Sequence, residues 1–566
     1  MYEQANLRRH ATLAAKQYWW VTRPHRKLTS IPKSLQVFAS VASGEQWTGN
    51  RDKHIEYETK LDFVQAKRGG NYTDRVKGRG GGGGRTHASL LYSLGMFFYH
   101  NDSAQSEQEV HLTLAGQAIV DQEDALPILR KQILTYQFPS AYSIATRVNI
   151  DRRFRLRPFI LLLKLLRRDD LGGYLTDEEI ATCVACYAER HSDSESNRIA
   201  DRIKEFRTSG RSGLPSDWQG MWGSDKCVDD LLASGGKARD VGNTIALWMR
   251  FTGYAQAING EDVGASAKTV TAISESRLEE IDAEILKLGA PIGKLDWLEP
   301  DGEFDRMQAA AAYQRSYGLP PNKVRDNRAI GSVRKAAQRD KTFGLVSHAL
   351  SHLYQTKIVT QVTPSLISAV VNNTGLDEKS VSSALNTLIK TPQQGLNQFL
   401  DRYRQMAFSG TDEAIEFEKA TAEVFRTIFD LEANHIGQTG KVPDVEVWNQ
   451  DWSGIIDTKA YPSYRLESDH QLRMQTNYIP ARVDVSHGAP LKFFMYISGD
   501  FAPSFEPNLR KVIKASGVNG SGISMESWLR LITHYPESNL NHDDLRKLWS
   551  CGRQITPQDV SDLLES

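Results

Sequence analysis

The chain has 566 residues, of which 40% are hydrophobic, 9% aromatic and 24% charged, a mix typical of globular proteins that excludes wholesale disorder and a fibrous chain. This length is too great for one compact core and predicts several modules. The 69 Lys and Arg balance the 69 Asp and Glu, and this formal net charge of zero argues at first against a simple polyanion binder.

The zero net charge hides a segregation of charge along the chain. Residues 1–100 hold sixteen Lys and Arg against seven Asp and Glu, a net charge of +9, whereas residues 411–566 hold fifteen against twenty-three, a net charge of −8. Four cysteines do not make a disulfide framework, the start has no apolar signal core, and the longest apolar run, Phe159–Leu163, cannot span a bilayer. We therefore expect a cytoplasmic protein without a membrane partner.

Aromatic and basic side chains are interleaved in the first hundred residues. A run of five glycines, Gly80–Gly84, lies among several cations, and glycine permits the close backbone approach that a DNA phosphate needs. A P-loop is excluded because the GK[ST] ending is missing. A solvated, flexible hairpin tip explains the same run equally well. The candidate DNA-binding residues are Arg23, Arg26, Arg75, Lys77, Arg79 and Arg85, with Arg239 and Arg250 as further possibilities.

Hydrophobic periodicity predicts the elements that follow. Val110–Val120 is typical of a short strand that continues into a helix, and Leu126–Tyr136 and Pro158–Arg168 are amphipathic helices. Units of this size suit winged-helix modules. A further helix, Lys237–Tyr254, ends near Gly253, and residues 256–410 are predicted as a mainly helical connector.

The residues that indicate chemistry lie in the segment Lys441–Tyr461. Alternation after Pro443 predicts a strand, NQDWSG a turn, and Ile455 and Ile456 a second strand. Because side chains two apart share a strand face, Asp457 and Lys459 point the same way, and hairpin pairing can bring Asp444 beside them. Two carboxylates and an ammonium suit a Mg²⁺ site, with Asp444 and Asp457 as the metal ligands. Lys459 would orient the attacking water or stabilise the transition state.

An acidic residue on a preceding helix joins this set. Glu418 falls on the apolar stripe of the helix predicted for Asp412–Phe429, so it needs a partner, and the site carboxylates' metal, Lys459 or a buried Arg would each provide one. Three similar patterns are discounted. Asp377-Glu378-Lys379 is typical of a solvated first helical turn, His348 and His352 lack the zincin Glu, and Cys183 and Cys186 lack a second CxxC.

At these residues the chain resembles a known group of nucleases. IIDTKAY and LKFFMYISGDF (Leu491–Phe501), together with the helix that ends in DLEANHIG, closely resemble the FokI-like cleavage domain. The resemblance implies a PD-(D/E)xK nuclease fold over residues 411–566, with Asp444, Asp457, Lys459 and Glu418 as the catalytic set.

The first half resembles the AlwI family of type IIS restriction endonucleases. The stretches YWWVTRP, NYTDRV, VHLTLAGQAIV, ILTYQFPS, LRPFILLLKLL and KARDVGNTIALWMRFTGY occur in the family's order and span most of residues 18–254. The five-glycine run is not part of this pattern. The resemblance implies recognition of a short asymmetric DNA site and cleavage a few base pairs to one side of it.

Together these observations predict a multidomain α+β protein. Residues 1–255 form a winged-helix-like DNA-recognition region, 256–410 a helical linker, and 411–566 an α/β PD-(D/E)xK domain with a central mixed sheet. We expect a Mg²⁺-dependent endonuclease that cuts both strands of double-stranded DNA as a transient homodimer, in a system with a companion methyltransferase. The alternatives are a strand-specific nickase, a non-catalytic winged-helix DNA-binding protein, and a repair or tRNA-processing nuclease, which the AlwI-like first half disfavours.

Overall fold

A computed structural model describes most of the chain and divides it into two compact units. The described residues are 15–22, 28–61, 80–100, 108–140, 142–143, 146, 148–151, 153–289, 333–437, 442–483 and 488–565. The first unit comprises residues 1–347 and the second residues 348–566. No helix among the described residues is both long and apolar enough to cross a membrane.

The first unit is mainly helical. Its apolar core holds large aromatic side chains, among them the fully buried Trp19, Trp218, Trp222 and Trp248. The helices are α1 (Ile31–Ala42), α2 (Arg51–Leu61), α3 (Gly82–Ser93), α4 (Leu114–Val120), α5 (Ala125–Thr135), α6 (Pro158–Leu166), α7 (Asp177–Glu179, continued by a π-helix over Ile180–Ala185), α8 (Asp193–Ser209), α9 (Trp218–Met221), α10 (Val228–Leu232), α11 (Lys237–Phe251) and α12 (Leu278–Leu288). Helix α13 (Val333–Leu353) runs from this unit into the second.

Two small antiparallel sheets accompany these helices. Strands β1 (Phe97–His100) and β2 (Glu109–Leu112) form a hairpin, and the predicted continuation of β2 into a helix is found in α4. Strands β3 (Tyr174–Leu175), β4 (Ala255–Asn259) and β5 (Thr269–Ile273) form a sheet in the order β3-β5-β4. The prediction of a mainly helical pattern from residue 256 is therefore wrong as far as Ile273, since the β-branched run Thr269–Ile273 is a strand.

Close helix packing explains part of the five-glycine run. Gly82, Gly83 and Gly84 form the first turn of α3, which lies against α2. A Cβ on Gly84 would lie 2.5 Å from the carbonyl oxygen of His54, and one on Gly83 would lie 2.5 Å from Oε1 of Glu58. The amide of Gly84 donates to Oε2 of Glu58 at 3.0 Å. The interpretation as a flexible hairpin tip is therefore wrong, because these glycines let two helices approach closely.

The second unit is built around a six-stranded mixed sheet. Its order is β11-β10-β9-β8-β7-β6. The pairs β6–β7 and β7–β8 are antiparallel, and the pairs β8–β9, β9–β10 and β10–β11 are parallel. The strands are β6 (Glu432–His435), β7 (Val445–Trp448), β8 (Ser453–Lys459), β9 (Leu491–Ser498), β10 (Asn519–Ser524) and β11 (Gln554–Ile555). The helices are α14 (Pro364–Thr374), α15 (Glu378–Leu388), α16 (Pro392–Met406), α17 (Ala414–Thr427), α18 (Ser468–Arg473, continued by a π-helix over Met474–Tyr478), α19 (Pro480–Val483), α20 (Phe505–Ser516), α21 (Met525–His534), α22 (His542–Trp549) and α23 (Pro557–Glu565).

Helices cover both faces of this sheet, and strand β8 is buried along almost its whole length. One face carries Ile455, Phe494 and Tyr496, which form a core cluster with Tyr478 and Leu509 from the helices above. Helix α17 contacts β6, β7 and β8, and its Phe425 packs on Trp528 and Trp549. Burial on both faces is why β8 has no clean apolar–polar alternation.

Candidate active site

The pairing of β7 with β8 brings two of the predicted carboxylates together. The register pairs Val445 with Ile456, so the preceding Asp444 lies opposite the following Asp457. A turn over residues 449–452 joins the two strands, in which Oδ1 of Asn449 accepts from the amides of Asp451 and Trp452 at 2.9 and 3.0 Å. The sequence NQDWSG therefore fixes the register, and the register fixes the carboxylate pair.

Asp457 and Lys459 form an enclosed ion pair. Nζ of Lys459 lies 2.8 Å from Oδ2 of Asp457, and these two side chains are 15% and 4% exposed. Oδ1 of Asp457 is buried and has no hydrogen-bond partner among the described residues. A buried carboxylate oxygen without a donor is costly, so this atom is open to a ligand that the protein itself does not supply.

Asp444 is held by the backbone of the opposite strand. Its Oδ2 accepts hydrogen bonds from the amide of Thr458 at 2.7 Å and from Oγ1 of Thr458 at 3.0 Å. Burial, followed by the negative charge of Asp457, raises the pKa of Asp444 well above its ordinary value. The charge of Lys459 opposes this shift and that of Glu418 adds to it. The site therefore concentrates more negative charge than it neutralises.

Lys459 stays cationic in this environment. Burial alone would lower the pKa of Lys459, but the charges of Asp457 and Asp444 raise it overall. A lysine with a raised pKa is a poor base and a good donor to an anion. A protonated Lys459 can donate an N–H to either predicted partner, the attacking water or the developing negative charge of the transition state, but it cannot serve as the base.

Among the described residues, Glu418 is paired with a histidine rather than with Lys459 or an arginine. It lies on α17, and its Oε2 is 2.7 Å from Nε2 of His435 on strand β6. A Cβ on Gly437 would lie 2.5 Å from the same Oε2, so glycine leaves room for the carboxylate beside the strand end. A histidine from the edge strand therefore holds this carboxylate.

Several side chains around the site were not expected from the sequence. Thr458 lies between the two predicted residues of β8, where alternation directs its side chain away from them, yet it binds Asp444. Tyr464, whose hydroxyl is 2.8 Å from Nδ1 of His470, stacks on that imidazole. Burial, then the charge of Lys459, lowers the pKa of His470, which records its proximity to the ion pair. The sequence signal for these residues was their position alone: Thr458 is the middle residue of the Asp-x-Lys motif, and Tyr464 and His470 follow its strand.

The residues present fit a hard divalent cation. Mg²⁺ binds through one or two carboxylates and otherwise keeps water or substrate oxygens. Asp444 and Asp457 supply two carboxylates, and the unpartnered Oδ1 of Asp457 is the atom that such an ion would satisfy. Among the described residues no group of three or more His, Cys, Asp or Glu could hold a metal, so a fully protein-ligated site of the zinc type is not present in them.

The Asp-Glu-Lys, histidine and cysteine patterns that were discounted as metal or nuclease sites lie outside this site. Asp377 caps helix α15, accepting from the amide of Ser380 at 2.9 Å, as expected for a first helical turn. Cys183 and Cys186 are buried, and burial raises the pKa of both thiols. The rings of His348 and His352 pack edge to face, with centroids 5.2 Å apart. Each pattern has a structural explanation.

The candidate DNA-binding residues are only partly visible. Arg23, Arg26, Arg75, Lys77 and Arg79 lie outside the described residues. Arg85 is exposed in the first turn of α3, and Arg239 is exposed near the start of α11. Arg250 is partly buried, and its Nε donates to Oγ1 of Thr271 at 2.8 Å, which indicates a structural role. Of the candidates that lie in the described part of the chain, Arg85 and Arg239 present an exposed cation.

Comparison with known proteins identifies the second unit. Residues 375–556 match the family described as "FokI, cleavage domain", a range that contains strands β6 to β11 and all four predicted site residues. The C-terminal region is thus a FokI-like cleavage domain, a mixed α/β fold with a central mixed sheet. This match supports a nuclease. No curated protein matches the chain.

Two solved structures are similar at low identity. One is the restriction endonuclease FokI, with 14% identity and a TM-score of 0.29, covering 95% of this chain and 100% of that chain. The other is FokI bound to DNA, with 12% identity and a TM-score of 0.28, covering 96% and 100%. Scores this low do not establish a shared fold over the full length, so the family match carries the assignment.

Proposed function

We propose that the protein is a type IIS restriction endonuclease that hydrolyses phosphodiester bonds of double-stranded DNA with Mg²⁺. One observation carries the proposal: Asp444, Asp457 and Lys459 converge at one end of a sheet, inside the region that matches a cleavage domain. We further propose that Glu418 supports this site from helix α17. The AlwI-like first half supports a DNA-recognition region over residues 1–255, winged-helix-like in fold, a linker over 256–410, and cleavage to one side of the bound sequence.

Each residue of the site has a task in this mechanism. A bound Mg²⁺ supplies a water of lowered pKa and neutralises charge on the scissile phosphate. Asp444 and Asp457 would hold the ion, and Thr458 orients Asp444 through two hydrogen bonds. Lys459, kept protonated beside Asp457, donates to the phosphate as negative charge grows on its oxygens. Glu418, fixed by His435, adds negative potential that favours binding of the cation.

Double-strand cleavage requires a second copy of this site. A single Asp444–Asp457–Lys459 set cuts one strand, so we propose that two cleavage domains pair transiently on DNA. Helix α18 offers a surface for this contact, since its Leu472 is a large apolar residue that is 56% exposed beside the site. A companion methyltransferase would protect host DNA.

The test is plasmid cleavage with and without Mg²⁺ by the wild type and by Asp457→Ala. We expect discrete fragments from the wild type and intact plasmid from the variant. Asp451→Ala is the matched control, because Asp451 lies exposed in the turn of the same hairpin. Nicked circles alone would indicate a strand-specific nickase. Normal DNA binding without any cleavage would refute the enzymatic proposal and favour a non-catalytic DNA-binding protein.

A further inference from the structure

Two lysines of the first unit lie on neighbouring aromatic rings. Nζ of Lys16 is 4.8 Å from the centre of the Trp20 ring, and Nζ of Lys237 is 5.2 Å from the centre of the Tyr18 ring. The centroids of Tyr18 and Trp20 are 5.6 Å apart. These two lysines, which we call the lysine pair, come from segments more than two hundred residues apart in the chain, so tertiary folding alone brings them together.

The surrounding packing holds the lysine pair in place. Tyr18 is buried and stacks on the buried Trp222, with ring centroids 4.2 Å apart. Nζ of Lys237 also donates to the carbonyl oxygen of Trp222. The backbone of Lys16 donates to the carbonyl oxygen of Asn149 at 2.9 Å and accepts from the amide of Asp151 at 3.1 Å. The backbone of Lys16 and the ammonium group of Lys237 are thus held before any ligand arrives, which lowers the entropic cost of binding one.

The electrostatics of the lysine pair are unfavourable without an anion. Both lysines are exposed, and neither forms a salt bridge with any residue that the structure describes. Partial burial of the ammonium group lowers the pKa of Lys16, and partial burial followed by the positive charge of Lys16 lowers that of Lys237. The aromatic faces attract each cation but do not remove the repulsion between them. A negative group bound at this position would.

We propose that the lysine pair binds a phosphate of the DNA backbone, an inference that rests on the proposed function. A phosphodiester carries the single negative charge and the acceptor oxygens that two ammonium groups require. Lys237 opens helix α11, whose N-terminal amides also favour an anion, and Arg239 adds an exposed cation in the same turn. Because a phosphate contact carries no sequence information, the lysine pair would position the duplex without reading its bases.

The experiment measures binding of the full-length protein to a short random-sequence DNA duplex in EDTA, by fluorescence anisotropy at increasing NaCl. Each phosphate contact contributes about 0.9 to the slope of log K against log salt. We expect Lys16→Gln combined with Lys237→Gln to reduce that slope by about 1 and to weaken binding severalfold at low salt. The matched control is Lys204→Gln, since Lys204 is already paired with Asp170 and Asp201 at 3.1 and 2.8 Å; it should leave the slope unchanged.

Further variants separate the possible failures. Lys16→Gln alone keeps the Lys237 contact with Trp222 intact and should give part of the effect, whereas replacing both lysines with arginine should restore the slope. If the folded double Gln variant has the same salt slope as the wild type, the proposal that the lysine pair binds a DNA phosphate is refuted. The nuclease proposal is not affected by that result. Inorganic phosphate can be added as a competitor at matched ionic strength. If it removes the difference in DNA binding between the wild type and the double Gln variant, the lysine pair is a site for free phosphate, and its proposed role in DNA binding is overturned. Absence of duplex binding by the wild type would overturn the lysine pair as a DNA contact, and plasmid cleavage tests the nuclease separately.

Discussion

Replacing Asp444 with asparagine should abolish DNA cleavage and at the same time stabilise the metal-free protein. Asparagine keeps an oxygen that can accept from the amide and the hydroxyl of Thr458, so the local structure should persist. What it removes is a negative charge next to Asp457 and near Glu418, the charges that contribute to the raised pKa of Asp444.

The size of the expected stabilisation follows from the charges around Asp444. Repulsion between two carboxylates about 5 Å apart, at an effective dielectric constant of about 20, is about 3 kcal/mol. Attraction to Lys459 offsets part of it, so we expect a net stabilisation of about 1–2 kcal/mol at pH 8. Because the folded-state pKa of Asp444 is raised, this gain should be present above that pKa and should vanish as the pH falls towards 3.8, the ordinary value.

Thermal unfolding in EDTA and in Mg²⁺ provides the measurement. In EDTA, the melting temperature of Asp444→Asn should rise by a few degrees, since about 1 kcal/mol corresponds to about 2–4 °C for a domain of this size. In Mg²⁺, the wild type should gain stability and the variant should not. Asp451→Asn, in the turn of the same hairpin, should change neither quantity. A variant that is clearly destabilised in EDTA yet still cleaves DNA would refute the assignment of Asp444 to a metal site.

Three further substitutions test other parts of the structure. Lys459→Ala should reduce cleavage about 10³-fold or more and, unlike Asp444→Asn, should destabilise the fold by about 3 kcal/mol, because Asp457 is left buried without its cation; plasmid cleavage and denaturant unfolding measure both effects. Burial raises the pKa of Asp340 to about 6, so Asp340→Asn should stabilise the protein by about 2–3 kcal/mol above pH 7 and by little near pH 4, and melting curves of equal shift at both pH values would contradict this. Gly84→Ala should cost about 2 kcal/mol or more because its Cβ would lie 2.5 Å from the carbonyl oxygen of His54, whereas Gly220→Ala, with nothing within 4 Å, should be close to neutral in the same assay.

The local geometry of the candidate site could be predicted from the sequence because it depends on short-range rules. Alternation along β8 places Asp457 and Lys459 on one face, and a four-residue turn brings Asp444 opposite Asp457. The same rules could not supply the partner of Glu418. His435 belongs to β6, which is recognised as a strand only through its pairing with β7. Its four residues are too few to show a periodic pattern, so the strand could not be predicted from the sequence.

The glycine run shows why tertiary packing limits such predictions. Among basic residues, a run of five glycines is compatible with a phosphate-binding loop and with a flexible tip, and neither requires a folded helix. The structure places Gly82, Gly83 and Gly84 in the first turn of α3, where the carboxylate of Glu58 lies too close for a Cβ on Gly83 and the backbone of His54 too close for one on Gly84. Glu58 is twenty-six residues away, so no local signal could identify the contact.

Stability alone does not explain the composition of the candidate site. A hairpin selected only for folding would pair every buried carboxylate or replace it with an apolar residue, because a buried charge without full compensation is destabilising. Here Asp457 keeps one oxygen without a donor among the described residues, and burial, followed by the charge of Asp457, raises the pKa of the Asp444 carboxylate opposite it. The lysine pair in the first unit is positively charged, and it too consists of two like charges without a counterion among the described residues. If both are binding sites for ligands, substitutions in them should affect different properties. Removing the lysine charges should weaken DNA binding, and saturating DNA should then restore the cleavage rate. Asp444→Asn should abolish cleavage and leave DNA affinity in EDTA unchanged. Charges retained for solubility would show neither effect.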